Sequence, residues 1–146
     1  MDTMKIYLDN CSYNRPFDDQ SQMKIRLETE AKLYIQAGVR ANHYILVWSY
    51  MLDFENDGNP YEEKQKAIRL WKDIANEYCS STNDILSAGT IYMGLGIKAK
   101  DALHIACATK SNCDYFITTD KKLLNKNIDG IHIINPIDFI RETEGL

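Results

Sequence analysis

Apolar positions fall into two patterns along the chain: short β-branched or aromatic runs, and longer stretches with helical spacing. Lys5-Ile6-Tyr7-Leu8, stopped by Asp9-Asn10, reads as a strand and a turn. Cys11 to Asp18 reads as a polar loop. Asp19 and Gln22 then stand at capping-box spacing, and Met23, Leu27, Ala31 and Tyr34 form the apolar stripe of a first helix, which Gly38 would end in a left-handed stop. Tyr44-Ile45-Leu46-Val47-Trp48 reads as a buried strand. Ser49 is placed to cap a short helix through Glu55. Asn59, Pro60 and the acidic pair Glu62-Glu63 open another, with Ile68, Trp71, Ala75 and Tyr78 as its stripe. Ile85–Met93 and Lys98–Lys110 predict two helices, and the small residues Ala99, Ala102 and Ala106 of the second allow a close approach to a sheet. Tyr115–Thr118 reads as a strand, a short helix starts at Asp120, Ile131–Ile134 is a last strand, and Asn135-Pro136 opens a terminal helix carrying Ile137 and Ile140. Strands alternating with helices predict an α/β domain around a mostly parallel sheet.

The 146 residues suit a single domain over 1–146, with 45% hydrophobic and 26% charged positions. The net charge of −4 excludes a general attraction to polyanions, so nucleic acid would have to be held by local basic residues or a bound metal. The uncharged stretch Ile85–Ile97 spans 13 residues, short of the ~20 a membrane helix needs. No basic segment followed by a long apolar core opens the chain, so no signal peptide is expected. Cys11, Cys79, Cys107 and Cys113 form no Cys-x-x-Cys pair, which predicts a reduced, cytoplasmic protein with mostly buried thiols.

The candidate chemistry lies in acids near strand ends. Asp9 follows the first strand, Glu55 comes shortly after the second, Asp120 follows Thr118-Thr119, and Asp101 sits in the first turn of the helix before them. Residues just beyond the carboxyl ends of parallel strands converge on one crevice. Four carboxylates in one crevice repel, and Mg²⁺ or Mn²⁺, hard ions that prefer oxygen ligands, would resolve the conflict and can serve phosphodiester hydrolysis. Each acid also has a local use: Asp101 favours a helix dipole and Asp120 caps the helix it begins.

Three stretches give the chain a family resemblance. They are Ile6-Tyr7-Leu8-Asp9-Asn10, Lys100-Asp101-Ala102-Leu103-His104-Ile105-Ala106-Cys107-Ala108 and Cys113-Asp114-Tyr115-Phe116-Ile117-Thr118-Thr119-Asp120-Lys121-Lys122-Leu123. In order and spacing the chain resembles the PIN domain, the fold of VapC-type toxin ribonucleases and other metal-dependent nucleases. The resemblance implies a three-layer α/β/α fold and hydrolysis of RNA phosphodiester bonds with Mg²⁺ or Mn²⁺. Asp9, Glu55, Asp101 and Asp120 would be catalytic residues and metal ligands, with Asp53 as the alternative to Glu55. Asn10, Thr118 and Thr119 would bind a metal water or a phosphate oxygen. Arg15 and Lys121, together with Lys98, Lys100 and Lys122, would hold the RNA backbone. The resemblance also implies an antitoxin protein as a partner, and a homodimer. A PIN-fold module that binds RNA or a small protein without turnover is the rival reading. Phosphatase chemistry with Asp9 as nucleophile is disfavoured, because Cys11 stands where such enzymes carry a second Asp.

Features outside this set carry less. Gly94-Leu95-Gly96-Ile97-Lys98-Ala99 fits a relaxed dinucleotide fingerprint but lies too late in the chain, and predicts a turn between helices. His43, His104 and His132 form no zinc spacing, although His104 stands three residues after Asp101. The tryptophans and most tyrosines are expected in the core, with Tyr13 in the polar loop as a candidate for base stacking.

Overall fold

The computed structural model describes residues 3–145. Five strands, β1 (Met4–Leu8), β2 (Tyr44–Ser49), β3 (Glu77–Cys79), β4 (Tyr115–Ile117) and β5 (His132–Ile134), form a parallel sheet in the order β3-β2-β1-β4-β5. The chain runs outward from β1 to β3 and then returns past β1 to build β4 and β5. The connections leaving β1 and β4 therefore diverge, which opens a crevice between adjacent strands at their carboxyl ends.

Among the described residues eight α-helices connect or flank the strands: α1 (Asn10–Asn14), α2 (Met23–Arg40), α3 (Tyr50–Asp57), α4 (Glu62–Ile74), α5 (Asn83–Met93), α6 (Ala99–Lys110), α7 (Lys121–Leu124) and α8 (Pro136–Thr143). Strand parity sorts them into layers. Tyr7 of β1 stacks on Phe116 and meets His104 of α6. The opposite face presents Tyr44 and Tyr115, both edge-on to Phe139 of α8. The sheet is thus covered on both sides, as its nearly continuous apolar strands require. Ala102 and Ala106 of α6 are fully buried, and a side chain at Gly89 of α5 would come within 2.9 Å of Leu103, so small residues set the spacing of these two helices.

Several sequence expectations are corrected. The polar loop carries α1 and a 3-10 turn, Arg15–Phe17. Tyr13 is fully buried and packs edge-on against Trp48, so it is core and not a stacking platform. Helix α2 runs through Gly38 to Arg40. Gly38 is there for proximity, since a Cβ would lie 2.5 Å from the Tyr44 ring, and Asn42 takes the left-handed turn instead. Of the expected stripe of α2 only Ala31 faces inward: Met23 is 68% exposed, and Leu27 and Tyr34 are exposed with it. The inward face carries Glu28, Lys32 and Gln36 beside Ala31, Ile35 and Val39, because Arg15 meets Glu28 at 3.3 Å and Lys32 lies over the Tyr13 ring. Helix α4 begins at Glu62, not Pro60, and Asn59 instead accepts from the Tyr61 N–H at 3.1 Å. Tyr78 belongs to β3, an edge strand too short to show alternation.

Candidate active site

Asp9 leaves β1 at the crevice and caps α1. One carboxylate oxygen accepts from the Asn10 N–H at 2.8 Å, and the other accepts from the Thr118 hydroxyl at 2.8 Å. The Thr118 oxygen accepts in turn from the Asp120 N–H at 3.1 Å, so one hydroxyl joins the loops after β1 and β4. Cys11 donates to Asp9 at 3.4 Å, but burial, followed by the Asp9 charge, pushes its thiol up to about 12. It stays protonated at neutral pH and is no nucleophile.

Glu55 arrives from α3, whose first turn is fixed by the Ser49 cap. Its carboxylate is held from two sides, by His104 Nε2 at 2.5 Å and by the Asn10 amide, which donates at 3.0 Å. Behind it, His104 Nδ1 lies 2.5 Å from the Tyr7 hydroxyl, which lies 2.6 Å from Ser49 Oγ. This chain crosses β1, β2, α3 and α6. Burial alone would raise the Glu55 carboxyl, but the His104 hydrogen bond and charge, Lys100 and Asn10 outweigh it and hold the group low. Burial alone would lower His104, but Glu55 and then Asp9 and Asp101 raise it above its ordinary value. The pair is therefore a charge-assisted one. Asp53 turns elsewhere, accepting from Trp48, Lys72 and Tyr78 at 2.8, 3.1 and 2.6 Å.

Asp101, in the first turn of α6, and Asp120, the cap of α7, line one cleft of about 310 Å³ with Lys98, Lys122 and Lys126. Burial raises the Asp101 carboxyl, and the charges of Asp9, Asp120 and Glu55 raise it further, to about 6, against the opposing pull of His104. The other three predicted acids thus all act on Asp101. Thr119 is buried beside them, and its hydroxyl has no partner among the described residues. Two predicted contacts lie apart. Arg15 is committed to Asp18 at 2.9 Å and to Glu28, and Lys121 is exposed away from the cleft wall that Lys122 lines.

The donor chemistry suits a hard divalent ion, though among the described residues no three His, Cys, Asp or Glu side chains stand arranged to hold one. Mg²⁺ asks for less than such a cage: one or two carboxylates, several waters and substrate phosphate oxygens suffice. Sequence reasoning placed His104 within reach of the site but missed Tyr7 and Ser49. Their only signal was parity, which puts Tyr7, Ser49 and Phe116 on the face that α6 covers.

No family model and no curated protein matches the chain. Among solved structures it is similar to VapBC2 from Rickettsia felis, crystallised bound to a DNA fragment from their promoter. The TM-score is 0.56 at 14% identity, covering 90% of this chain and 98% of that one. The likeness is one of fold: a PIN-like, three-layer α/β architecture built on a parallel sheet. Among the described residues no helix is long and apolar enough to cross a membrane.

Proposed function

We propose that this protein is a Mg²⁺- or Mn²⁺-dependent endoribonuclease whose metal would be held through Asp9, Glu55, Asp101 and Asp120. One observation carries the reading. Asp101 lines one cleft with Asp120, and burial together with the charges of Asp9, Asp120 and Glu55, from the segments that follow β1, β4 and β2, raises its carboxyl to about 6. Such crowding of like charge costs stability unless a cation answers it. A bound divalent ion supplies charge stabilisation on a phosphodiester and lowers the pKa of an attacking water.

The remaining work falls to the chain itself. Thr118 and the Asn10 N–H orient Asp9, while His104 and the Asn10 amide fix Glu55, so neither carboxylate needs to reorganise when substrate arrives. Lys98, Lys122 and Lys126 beside Asp101 and Asp120 would hold the RNA backbone despite the acidic chain as a whole. The likeness to the VapBC2 fold supports, as the biological setting, the toxin of a toxin–antitoxin pair, with a small protein partner.

RNA cleavage with Mn²⁺ or Mg²⁺ tests the reading, alongside calorimetric titration of Mn²⁺. We expect metal uptake, loss of cleavage in EDTA, and a loss of at least about 100-fold for Asp9→Asn and Asp101→Asn. Equal cleavage by all three proteins would overturn the assignment of the acids. No Mn²⁺ uptake would leave a PIN-fold binding module without turnover.

A further inference from the structure

A second cleft, of about 340 Å³, adjoins the acids on the side of α3, where Asn10 and Glu55 form its near wall. Its far wall is built from Phe17, Asn56, Tyr61 and Lys64. Three features of it leave binding capacity that the fold does not use up. Tyr61 is 60% exposed and Phe17 39% exposed, although both sit on stiff turns: Tyr61 follows Pro60 and is pinned by Asn59, and Phe17 follows Pro16 in the 3-10 turn. Lys64 stands 4.2 Å from the Tyr61 ring centre and 5.8 Å from that of Phe17, so one cation sits against both aromatic faces. Asn56 is only 2% exposed and donates to the Gln65 carbonyl at 2.9 Å, yet its amide oxygen has no partner among the described residues. The amide oxygen of Asn10, whose nitrogen is spent on Glu55, is likewise buried and unpartnered.

We infer that this cleft is a subsite for one unstacked base of a single-stranded polynucleotide. The exposed rings of Tyr61 and Phe17 would offer the stacking surface once Lys64 swings from them to the backbone phosphate as its cation, and the Asn56 and Asn10 oxygens would be the acceptors for a base edge. Each requirement selects against the alternatives. An apolar protein side chain would leave two buried carbonyl oxygens unpaired, which costs free energy. A neutral sugar would stack but would not use Lys64. A base supplies a π-face, in-plane N–H donors and an attached phosphate together. The choice of polymer rests on the nuclease reading, and the shared wall through Asn10 and Glu55 sets the base next to the acids.

Fluorescence polarisation with a short labelled single-stranded RNA in EDTA tests the subsite without cleavage. Wild type should bind, Tyr61→Ala should bind at least about fivefold more weakly, and Tyr61→Phe should bind as wild type does, since the ring and not its hydroxyl is used. Lys64→Gln should weaken binding and flatten its salt dependence. Tyr61 is exposed, so unchanged thermal melting would show that these variants fold. Absence of binding by wild type, equal binding by Tyr61→Ala, or tighter capture of double-stranded RNA than of single-stranded RNA would overturn the subsite. Tyr61-dependent binding by a protein that never cleaves would keep the subsite and reject the nuclease. Cleavage with an unchanged KM in Tyr61→Ala would do the reverse.

Discussion

Two regions of this molecule bury polar side chains, and they do so on opposite principles. On the inward face of α2 the signs are mixed: Glu28, 1% exposed, meets Arg15, and one turn later Lys32 lies over the Tyr13 ring, where burial disfavours its charge. At the carboxyl rim of the sheet the signs agree. Asp101 feels Asp9, Asp120 and Glu55, with His104 as the one opposing charge among the causes of its shift. The comparison teaches that burial of charge alone does not mark a site. What marks the rim is like charge gathered on one residue, Asp101, beyond what His104 offsets.

The sharpest way to break this comparison is to exchange what each region loses on mutation. Asp101→Asn should abolish metal-dependent cleavage, by at least about 100-fold, while leaving the melting temperature unchanged or higher, because a repelled carboxylate has been removed. Parallel cleavage and thermal-melting measurements read both effects, and a large fall in melting temperature would place Asp101 among the structural acids. Glu28→Gln should show the opposite pattern. It leaves Arg15 with the more exposed Asp18 as its remaining carboxylate partner, at a cost of about 1 kcal/mol, with no change in cleavage per folded molecule. Urea unfolding checks the first part. Loss of activity without loss of stability would make α2 part of the site.

The rim was legible in the sequence because its parts are local. Asp9 and Asp120 are turn residues directly after apolar runs, and both prove to be helix caps in contact with Thr118. Glu55 was read from its place shortly after the second strand and from the family resemblance, with Asp53 as the alternative; the contacts of Asp53 with Trp48, Lys72 and Tyr78 turn it elsewhere. The link behind Glu55 was not legible, because Tyr7, Ser49 and His104 lie on three elements and meet only when β1, β2 and α6 pack. Helix α2 misled for a related reason. Its outer face is as apolar as its inner one, so the choice between faces falls to Arg15 and Tyr13 from a preceding segment that itself read as a loop. Strand β3 was hidden because Glu77-Tyr78-Cys79 continues the apolar spacing of α4, and three residues show no period.

The smallest expected effect separates the two regions by pH. Burial lowers the Lys32 ammonium from its ordinary 10.5 to about 7. Between those values the unfolded chain carries a proton that the folded chain lacks, so this group makes stability rise with pH across that window. Its penalty is therefore full below about pH 7 and has faded by about pH 10. Lys32→Met keeps the length of the stem and removes the charge, at the loss of the contact with Tyr13. We expect a gain of about 1 kcal/mol near pH 6.5, or roughly 2–4 °C in melting temperature, shrinking as pH rises. Melting curves of both proteins from pH 6.5 to 10 measure the gap between them, in which groups common to both cancel. A gap that stays constant would mean that Lys32 is charged and solvated in the fold. Its burial would then carry no penalty, and the inward face of α2 would differ from the rim in solvation rather than in sign.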